Sequence, residues 1–330
     1  KDMSDEEYRN NLYSLWTNYC VSESYEPGST FKPVTVASAL EEGVVKDGDT
    51  YVCKGFETVA DYKLKCHVFS TIGSHGSLTV EQALMNSCNP YMIHLALEMG
   101  NSRFAYYQSL FGFGKITGID LPGETTGIVY GDRMTTIDAA CNSFGQTINV
   151  NMMQMMAAYC SIINGGMLYQ PHIVKRIESA NGEVVKEYKA NLVRQTITAS
   201  TSKLLRRYLK NTVEEGTAKK AGVTGYSVAG KTGTAQKGDR KDNKWIISFI
   251  GHAPAENPKF AIYVVIDEPY GTTGTSGSSA DVLTLTHNIL EKLLPYMNVY
   301  KDASDEYEDT SSSPDELTVD GIPAGTASSN

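Results

Sequence analysis

The 330-residue sequence lacks several patterns that would assign it to a class of protein at once. It has no apolar run of about 18 residues, so no segment is predicted to span a membrane. It does not begin with a basic stretch followed by an apolar one, so no signal peptide is expected. Neither C-x-x-C nor H-E-x-x-H occurs, so the sequence predicts no metal site.

Cysteine is also sparse, with six residues, which excludes a small disulfide scaffold. Four of the six stand alone along the chain. Cys53 and Cys66 flank a polar segment and can close a loop as a disulfide. The alternative, two free thiols, stays open at this point.

Positive charge is outnumbered, with a formal net charge of −9, which argues against nucleic acid as a partner. Eight of the acidic residues fall within residues 301–330 and face a single lysine there, Lys301. The body is therefore nearly neutral. The Ser, Asp, Glu, Pro and Gly content of 299–330 predicts a disordered acidic tail, and 1–20 is expected to be a lead-in to a domain at 21–298.

The first two thirds of the chain predict mainly helices. We expect a helix from Phe31 to Leu40 stopped by Gly43, a loop-rich segment at 44–78, and mostly helical structure at 134–163. Thr79 and Gln82 form a capping box for a helix to Asn86, and Pro90 suits the first turn of the next helix, to Gly100. The further predicted elements are a hairpin at 173–188 turning at Asn181-Gly182, and a helix capped by Ser200 or Thr201 and ending at Gly216.

The last third has a different pattern. Residues 226–236, 245–252 and 260–267 predict three strands joined by short polar loops, which favours antiparallel pairing. A helix with one apolar stripe follows at 280–296. Helices first and a sheet with its covering helix last indicate an α+β fold.

Three short motifs carry chemistry. The first is Ser29-Thr30-Phe31-Lys32. A serine hydroxyl needs a base to become nucleophilic, and a lysine one helical turn away can be that base if its amine is neutral. Burial or a nearby cation lowers a lysine pKa far enough. Alone, the pattern is more typical of an N-capping serine with a solvated lysine.

The second motif is Ser87-Cys88-Asn89, in a predicted break between helices. A serine there can relay a proton, and an asparagine can bind a peptide amide with both its donor and its acceptor. The plain alternative is that Asn89 caps the next helix.

The third motif is Lys231-Thr232-Gly233-Thr234, on the first strand of the predicted sheet. A cation with hydroxyls suits a carboxylate, and Gly233 leaves room for another backbone. Lys231 and Thr232 serve one pocket only if the strand lies along its edge. Residues 225–232 also match the phosphate-binding G-x-x-x-x-G-K-[ST] pattern, but no apolar strand precedes it and no helix is expected after it, so we reject that interpretation.

The three motifs in this order are the signature of serine penicillin-recognising enzymes. From about Trp16 to Leu294, the chain resembles the transpeptidase domain of class B penicillin-binding proteins. The segments that carry the resemblance are 25–33, 74–76, 86–90, 145–146, 164–166, 171–172, 215–218, 228–236, 249–251, 253–254 and 267–269.

The resemblance implies catalytic roles. Ser29 would be the nucleophile, Lys32 its general base, Ser87 a proton relay, Asn89 a ligand of the substrate amide, and Lys231 an electrostatic support.

It also implies how the substrate is held. Thr232, Gly233 and Thr234 would bind the terminal carboxylate, and the backbone N–H groups of Ser29 and Thr234 would form the oxyanion hole. The implied fold is an antiparallel sheet flanked by helices with a mostly helical inserted subdomain.

The substrates would be stem peptides ending in D-Ala-D-Ala, β-lactams would acylate the same site, and no cofactor is implied. The family's upstream membrane anchor implies a cell-membrane location on the extracytoplasmic face. A glycan polymerase and division or sporulation proteins would be the partners.

The sequence departs from the family pattern at two places. Thr147 stands where the family has the third glycine of Gly-Gln-Gly, and 277–281 lacks a usual proline.

Two other functions stay open. A D,D-carboxypeptidase, β-lactamase or β-lactam sensor would share the superfamily but not the acceptor. A non-catalytic cell-wall scaffold would be expected to lose at least one of Ser29, Lys32, Ser87 or Lys231, and all four are present.

Overall fold

The computed structural model describes residues 4–238, 244–269 and 278–303. Within these ranges the helices are α1 (Asp5–Leu15), α2 (Tyr19–Ser22), α3 (Lys32–Glu42), α4 (Val80–Met85), α5 (Asn89–Met99), α6 (Asn101–Leu110), α7 (Thr136–Asn142), α8 (Met152–Ile163), α9 (Ala199–Glu214) and α10 (Ala280–Tyr296). The strands are β1 (Thr50–Cys53), β2 (Phe56–Val59), β3 (Tyr62–Lys65), β4 (Gly76–Thr79), β5 (Met167–Gln170), β6 (Arg176–Glu178), β7 (Val184–Glu187), β8 (Asn191–Gln195), β9 (Ala229–Lys237), β10 (Lys244–Ala253) and β11 (Phe260–Asp267). Within the described residues, none of the helices combines the length and the apolar character that a membrane span requires.

The principal sheet has the order β11-β10-β9 and is antiparallel throughout, as predicted. Its central strand β10 is almost completely buried. On one face, Ile247 and Phe249 pack with Val282 and Leu290 of α10. On the other face, Ile250 belongs to the larger core that the helices α3, α5, α8 and α9 share. The predicted α+β fold is therefore confirmed, and β9 is an edge strand of this sheet.

Most predicted elements are found with small shifts at their ends. Strand β11 and helix α10 have the predicted bounds, and the capping box at Thr79 begins α4. The hairpin β6-β7 turns at Asn181-Gly182, where Gly182 has a φ of 82° that favours glycine. Residues 134–163 contain α7 and α8, separated by a non-helical stretch.

One local prediction is incomplete and another is wrong. The loop-rich segment 44–78 also contains the short strand pairs β1-β4 and β2-β3, of which β4 reaches Thr79, because four-residue strands carry little signal in the sequence. The cap of α9 is Thr198, whose side chain accepts from Thr201 N–H. The Glu41 carboxylate braces this start of the helix, because it accepts from the N–H and the hydroxyl of Thr198 at 3.0 Å and from the hydroxyl of Thr201 at 2.7 Å.

The predicted tail begins at residue 299, and only residues 299–303 of it lie within the described part of the chain. Val299 is buried, and the Asp302 carboxylate accepts from the Ser227 N–H at 2.7 Å. These first residues therefore pack on the loop that precedes β9. The remaining predicted tail, 304–330, lies outside the described residues.

Candidate active site

The first motif lies on a tight 3₁₀ turn, Gly28–Phe31, that leads directly into α3. Such a turn places residues three apart above one another, which brings Ser29 and Lys32 onto one side. The Thr30 hydroxyl closes the turn by donating to Pro27 O at 2.8 Å. Ser29 is half-buried, whereas Thr30 and Lys32 are buried. The turn therefore leaves only the serine accessible.

The Lys32 side chain crosses to the second motif. Its Nζ donates to Ser87 O at 2.6 Å, to Ser87 Oγ at 3.0 Å and to Asn89 Oδ1 at 2.7 Å. Burial lowers the pKa of Lys32 to about 8, although the Cys66 and Cys88 thiols act in the opposite direction. An amine with this pKa is partly neutral near pH 8, as a general base needs to be.

The second motif occupies the break between α4 and α5. Ser87 has a φ of 54°, the left-handed region that a non-glycine residue rarely adopts. Strain of this kind persists only where surrounding contacts hold it, and it clusters at functional sites. Here Lys32 supplies two of those contacts, to the Ser87 carbonyl and hydroxyl.

Asn89 does not cap α5 with its side chain. The N-cap residue is Cys88, which makes no side-chain capping bond. The Asn89 amide instead accepts from Lys32 and donates through Nδ2 to Lys65 O at 3.2 Å. The capping alternative for Asn89 is therefore wrong, and its side chain belongs to the site.

The third motif lies on β9, and because β9 is an edge strand its side chains can face a cleft. Lys231 is buried, and its Nζ donates to Thr232 O at 3.2 Å and Thr232 Oγ1 at 3.4 Å. Burial and the positive charge of Lys32 hold the pKa of Lys231 well below its ordinary value. The two lysines are thus close enough that a proton on one disfavours a proton on the other. A strand follows Thr232 where a phosphate-binding loop needs a helix, which agrees with rejecting that interpretation.

Two glycines let the first and third motifs touch. Gly28 has a φ of 56°, and a Cβ on it would lie 2.5 Å from Thr234 O. A Cβ on Gly233 would lie 2.8 Å from Thr30 Cγ2 and 3.0 Å from Pro27 O. The close backbone approach predicted at Gly233 is therefore confirmed, and it is the Ser29 turn that approaches.

The three motifs, which are far apart in the sequence, thus meet around one buried lysine pair. One expected contact is missing: within the described residues no hydrogen bond joins the Ser29 hydroxyl to Lys32. The three bonds of the Lys32 ammonium all go to the second motif, so a base role for Lys32 requires its neutral form.

The sequence motifs assigned no role to several residues that lie around the site. A polar cleft continues from the end of β9 and is lined by Glu26, Gln146, Gln236 and Lys237, among others. Thr147 closes it with a φ of 59°, a conformation that suits the glycine typical of the family. The Thr147 N–H donates to Glu26 Oε1 at 2.8 Å, and the Thr147 hydroxyl accepts from Asn142 at 2.9 Å. These bonds stabilise Thr147 in this conformation.

The predicted Cys53–Cys66 pair is adjacent in space but unbonded, and both residues are free thiols. The disulfide stays a prediction. Two further side chains with atoms that can bind a metal ion, His75 and Cys88, lie beside this pair. No sequence motif signalled the group, because its members come from four separate segments.

A serine at a tight turn, a buried lysine of lowered pKa and a second lysine beside threonine hydroxyls are the groups that the sequence resemblance predicts for a serine acyl-transfer site. Residues 3–291 match the family model of the penicillin binding protein transpeptidase domain. The chain belongs to this family.

Related proteins agree with this assignment. The chain is 41% identical over 288 residues to stage V sporulation protein D of Bacillus subtilis, covering 86% of this chain and 44% of that protein. It is 32% identical over 292 residues to the peptidoglycan D,D-transpeptidase FtsI of Escherichia coli K12, covering 87% and 46%. The chain therefore spans less than half the length of these relatives.

The fold has matching solved structures. Penicillin-binding protein 3 of Mycobacterium tuberculosis, complexed with aztreonam, superposes with a TM-score of 0.78 at 29% identity, covering 87% of this chain and 66% of that one. The expected penicillin-binding transpeptidase fold is confirmed.

Proposed function

We propose that this chain is a peptidoglycan D,D-transpeptidase domain that cross-links stem peptides through an acyl-serine intermediate and is acylated by β-lactams. The observation that carries the proposal is the buried Lys32 amine, which bonds to Ser87 and Asn89 beneath the Ser29 turn. The names of the relatives support the same activity.

In the first half-reaction, Ser29 Oγ attacks the carbonyl between the last two D-alanines, and neutral Lys32 takes its proton. The C–O bond forms, the peptide C–N bond breaks, and the proton passes through Ser87 to the leaving D-alanine amine. Lys231 stabilises this transfer by its position near Lys32. Asn89 orients the peptide amide.

The donor peptide is held by the third motif. The hydroxyls of Thr232 and Thr234 bind the terminal carboxylate. The oxyanion is bound by the backbone N–H groups of Ser29 and Thr234, a type of stabilisation often worth about 3–4 kcal/mol per donor in acyl transfer. The contact between Gly28 and Thr234 supports this arrangement, because it brings the two backbones together.

In the second half-reaction, an amine of a second stem peptide attacks the acyl-serine carbonyl. The new peptide C–N bond forms, the C–Oγ ester bond breaks, and the proton lost by the amine passes through Lys32 to Ser29 Oγ. We place the domain at the extracytoplasmic face of the cell membrane, beside a glycan polymerase and division or sporulation proteins. The relatives named for sporulation and peptidoglycan transpeptidation support this setting.

The test supplies a D-Ala-D-Ala stem peptide as donor together with a second peptide amine, and the products are separated by mass spectrometry. We expect a cross-linked product that grows with acceptor concentration. Hydrolysed donor alone, unchanged by the acceptor, would assign the chain to the carboxypeptidase alternative. A folded protein that consumes no donor would favour the scaffold.

A further inference from the structure

Four side chains with metal-binding atoms cluster behind the second motif. Cys53 ends β1, Cys66 follows β3, His75 precedes β4, and Cys88 lies between Ser87 and Asn89. One sulfur or nitrogen atom of each lies within 4.8 Å of every other. The three cysteines are buried and His75 is half-buried. The transpeptidase mechanism uses none of these side chains.

The spacing fits one tetrahedral ion. The Nδ1 atom of His75 lies 3.8 Å from Cys53 Sγ and 3.5 Å from Cys66 Sγ. A tetrahedral zinc ion with Zn–S of about 2.3 Å and Zn–N of about 2.0–2.1 Å separates sulfur from nitrogen by about 3.6 Å. Only a small contraction of the cluster is therefore needed to coordinate such an ion.

The chemistry of the four ligand atoms indicates which metal ion binds and what it does. Three thiolates and one imidazole are a known set for structural zinc, and soft sulfur ligands disfavour magnesium and calcium. Four protein ligands complete a tetrahedron and leave no position for substrate or reactive water. The ion would therefore be structural rather than catalytic.

We propose that Cys53, Cys66, His75 and Cys88 bind one structural Zn²⁺ ion that holds the second motif against the β1–β4 segment.

The position of the ligands gives this ion a defined effect on the site. Cys88 is flanked by Ser87 and Asn89, which both bond to Lys32. Asn89 also bonds to Lys65 O, next to Cys66. Cys66 is next to Lys65, and Cys88 is next to Asn89. Coordination of both cysteines by one ion therefore fixes the two segments that the bond between Asn89 and Lys65 O joins. The proposal goes beyond the transpeptidase function and does not depend on it.

The proposal excludes the Cys53–Cys66 disulfide in the zinc-bound protein, because coordination needs both sulfurs as thiolates. The two states differ in a measurable way. The zinc-bound chain has three fewer thiols that react with an alkylating reagent and an unchanged polypeptide mass, whereas the disulfide removes two thiols and lowers the mass by two hydrogens.

The experiment measures zinc per chain by elemental mass spectrometry in the full chain, purified under reducing conditions, incubated with ZnCl₂ and freed of unbound metal. The test variants are His75→Ala and Cys53→Ser. The matched controls are His67→Ala, whose Nδ1 lies 3.8 Å from Cys66 Sγ outside the four-residue group, and Cys160→Ser, which removes a thiol elsewhere.

We expect one zinc per chain in the unmodified protein and in both controls. The test variants should retain much less, and a competition titration with a zinc chelator should show their affinity lower by at least about 10–100-fold. Co²⁺ in place of zinc should give the sulfur-to-metal charge-transfer bands of a tetrahedral thiolate site. This measurement on the unmodified chain keeps the test valid if Cys53→Ser does not fold.

The proposal is overturned if the reduced, folded chain binds no zinc or gives no thiolate bands with Co²⁺. It is equally overturned if His75→Ala binds as tightly as the unmodified chain, or if His67→Ala loses the metal while His75→Ala keeps it.

Discussion

The Lys32 ammonium group donates a 3.0 Å hydrogen bond to the Ser87 hydroxyl across 55 residues of sequence. The same nitrogen bonds to the Ser87 carbonyl and to the Asn89 amide, and all of these groups are wholly or partly buried. One charged group thus joins the first motif to the second and holds Ser87 in its left-handed conformation. When Lys32 loses a proton to become a base, at least one of these bonds changes.

This relationship predicts a pH-dependent acylation rate. Because burial lowers the pKa of Lys32 to about 8, the neutral amine becomes the main form as the pH rises through that value. The second-order rate of acylation by benzylpenicillin should therefore rise with pH and level off above about pH 8. Stopped-flow or quenched mass measurements across this range give the profile.

Lys32→Ala is the companion variant for that profile. It should acylate more slowly by about 10²–10⁴-fold, and the rise near pH 8 should disappear. A variant that keeps the same pH profile at a reduced rate would contradict Lys32 as the base.

Ser87→Ala tests the proton relay. The variant keeps the backbone contact to Lys32 and removes only the hydroxyl, so acylation should slow by about 10²-fold or more while the melting temperature changes little. Ser38→Ala is the matched control, because the Ser38 hydroxyl is also buried but bonds within α3 to Val34 O. Equal rates in the two variants would remove Ser87 from the mechanism.

Gly233→Ala tests the contact between β9 and the Ser29 turn. The new methyl group would meet Thr30 Cγ2 at 2.8 Å and the Ser248 hydroxyl, so the turn has to move. We expect a destabilisation of about 1–3 kcal/mol from overpacking, together with slower acylation. Chemical unfolding and adduct formation measure the two effects.

A second variant separates the sources of the Gly233→Ala effect. Adding Ser248→Ala removes one obstacle but leaves Thr30 and Pro27 O. Stability should recover in part while the acylation rate stays low. If stability and acylation rate both recovered fully, the methyl group would be shown to disturb Ser248 on β10 and not the Ser29 turn.

The burial of His252 predicts that the folded protein loses stability in acid. It is fully buried, accepts or donates at 2.8 Å with the Tyr159 hydroxyl, and burial lowers its pKa from 6.5 to about 4. Between these values the unfolded chain binds a proton that the folded chain does not. The free energy of unfolding should therefore fall as the pH drops from about 7 to about 4, by about 3 kcal/mol from this group.

The measurement is urea unfolding across that pH range for the unmodified chain, His252→Gln and the control His94→Gln, whose side chain is 41% exposed. His252→Gln should show a flatter pH dependence than the other two. Identical slopes in all three would contradict the buried, neutral His252.

Residue patterns predicted the elements whose signals are local. The capping box at Thr79, the glycine turn at Asn181-Gly182 and the apolar stripe of α10 each lie within a few neighbouring residues. The cap of α9 was misplaced because Thr198, Ser200 and Thr201 are all able to cap, and the contacts that Thr198 and Thr201 make with the distant carboxylate of Glu41 leave no trace in the local sequence.

The candidate site shows the same difference between features with a local sequence signal and features without one. The motif residues were predicted because each motif is short and their order is characteristic. The destination of the Lys32 side chain, the strain at Ser87 and the cluster around Cys53 depend on segments that only folding brings together. No spacing rule within one segment reports such contacts.

The most direct test of the central claim is the intact mass of the protein after incubation with benzylpenicillin, for the unmodified chain and for Ser29→Ala. The account predicts one stable adduct in the unmodified chain, mapped to the peptide that contains Ser29, and none in the folded variant. An adduct that persists in Ser29→Ala, or a folded unmodified chain that forms none, would contradict the assignment of Ser29 as the acylated nucleophile.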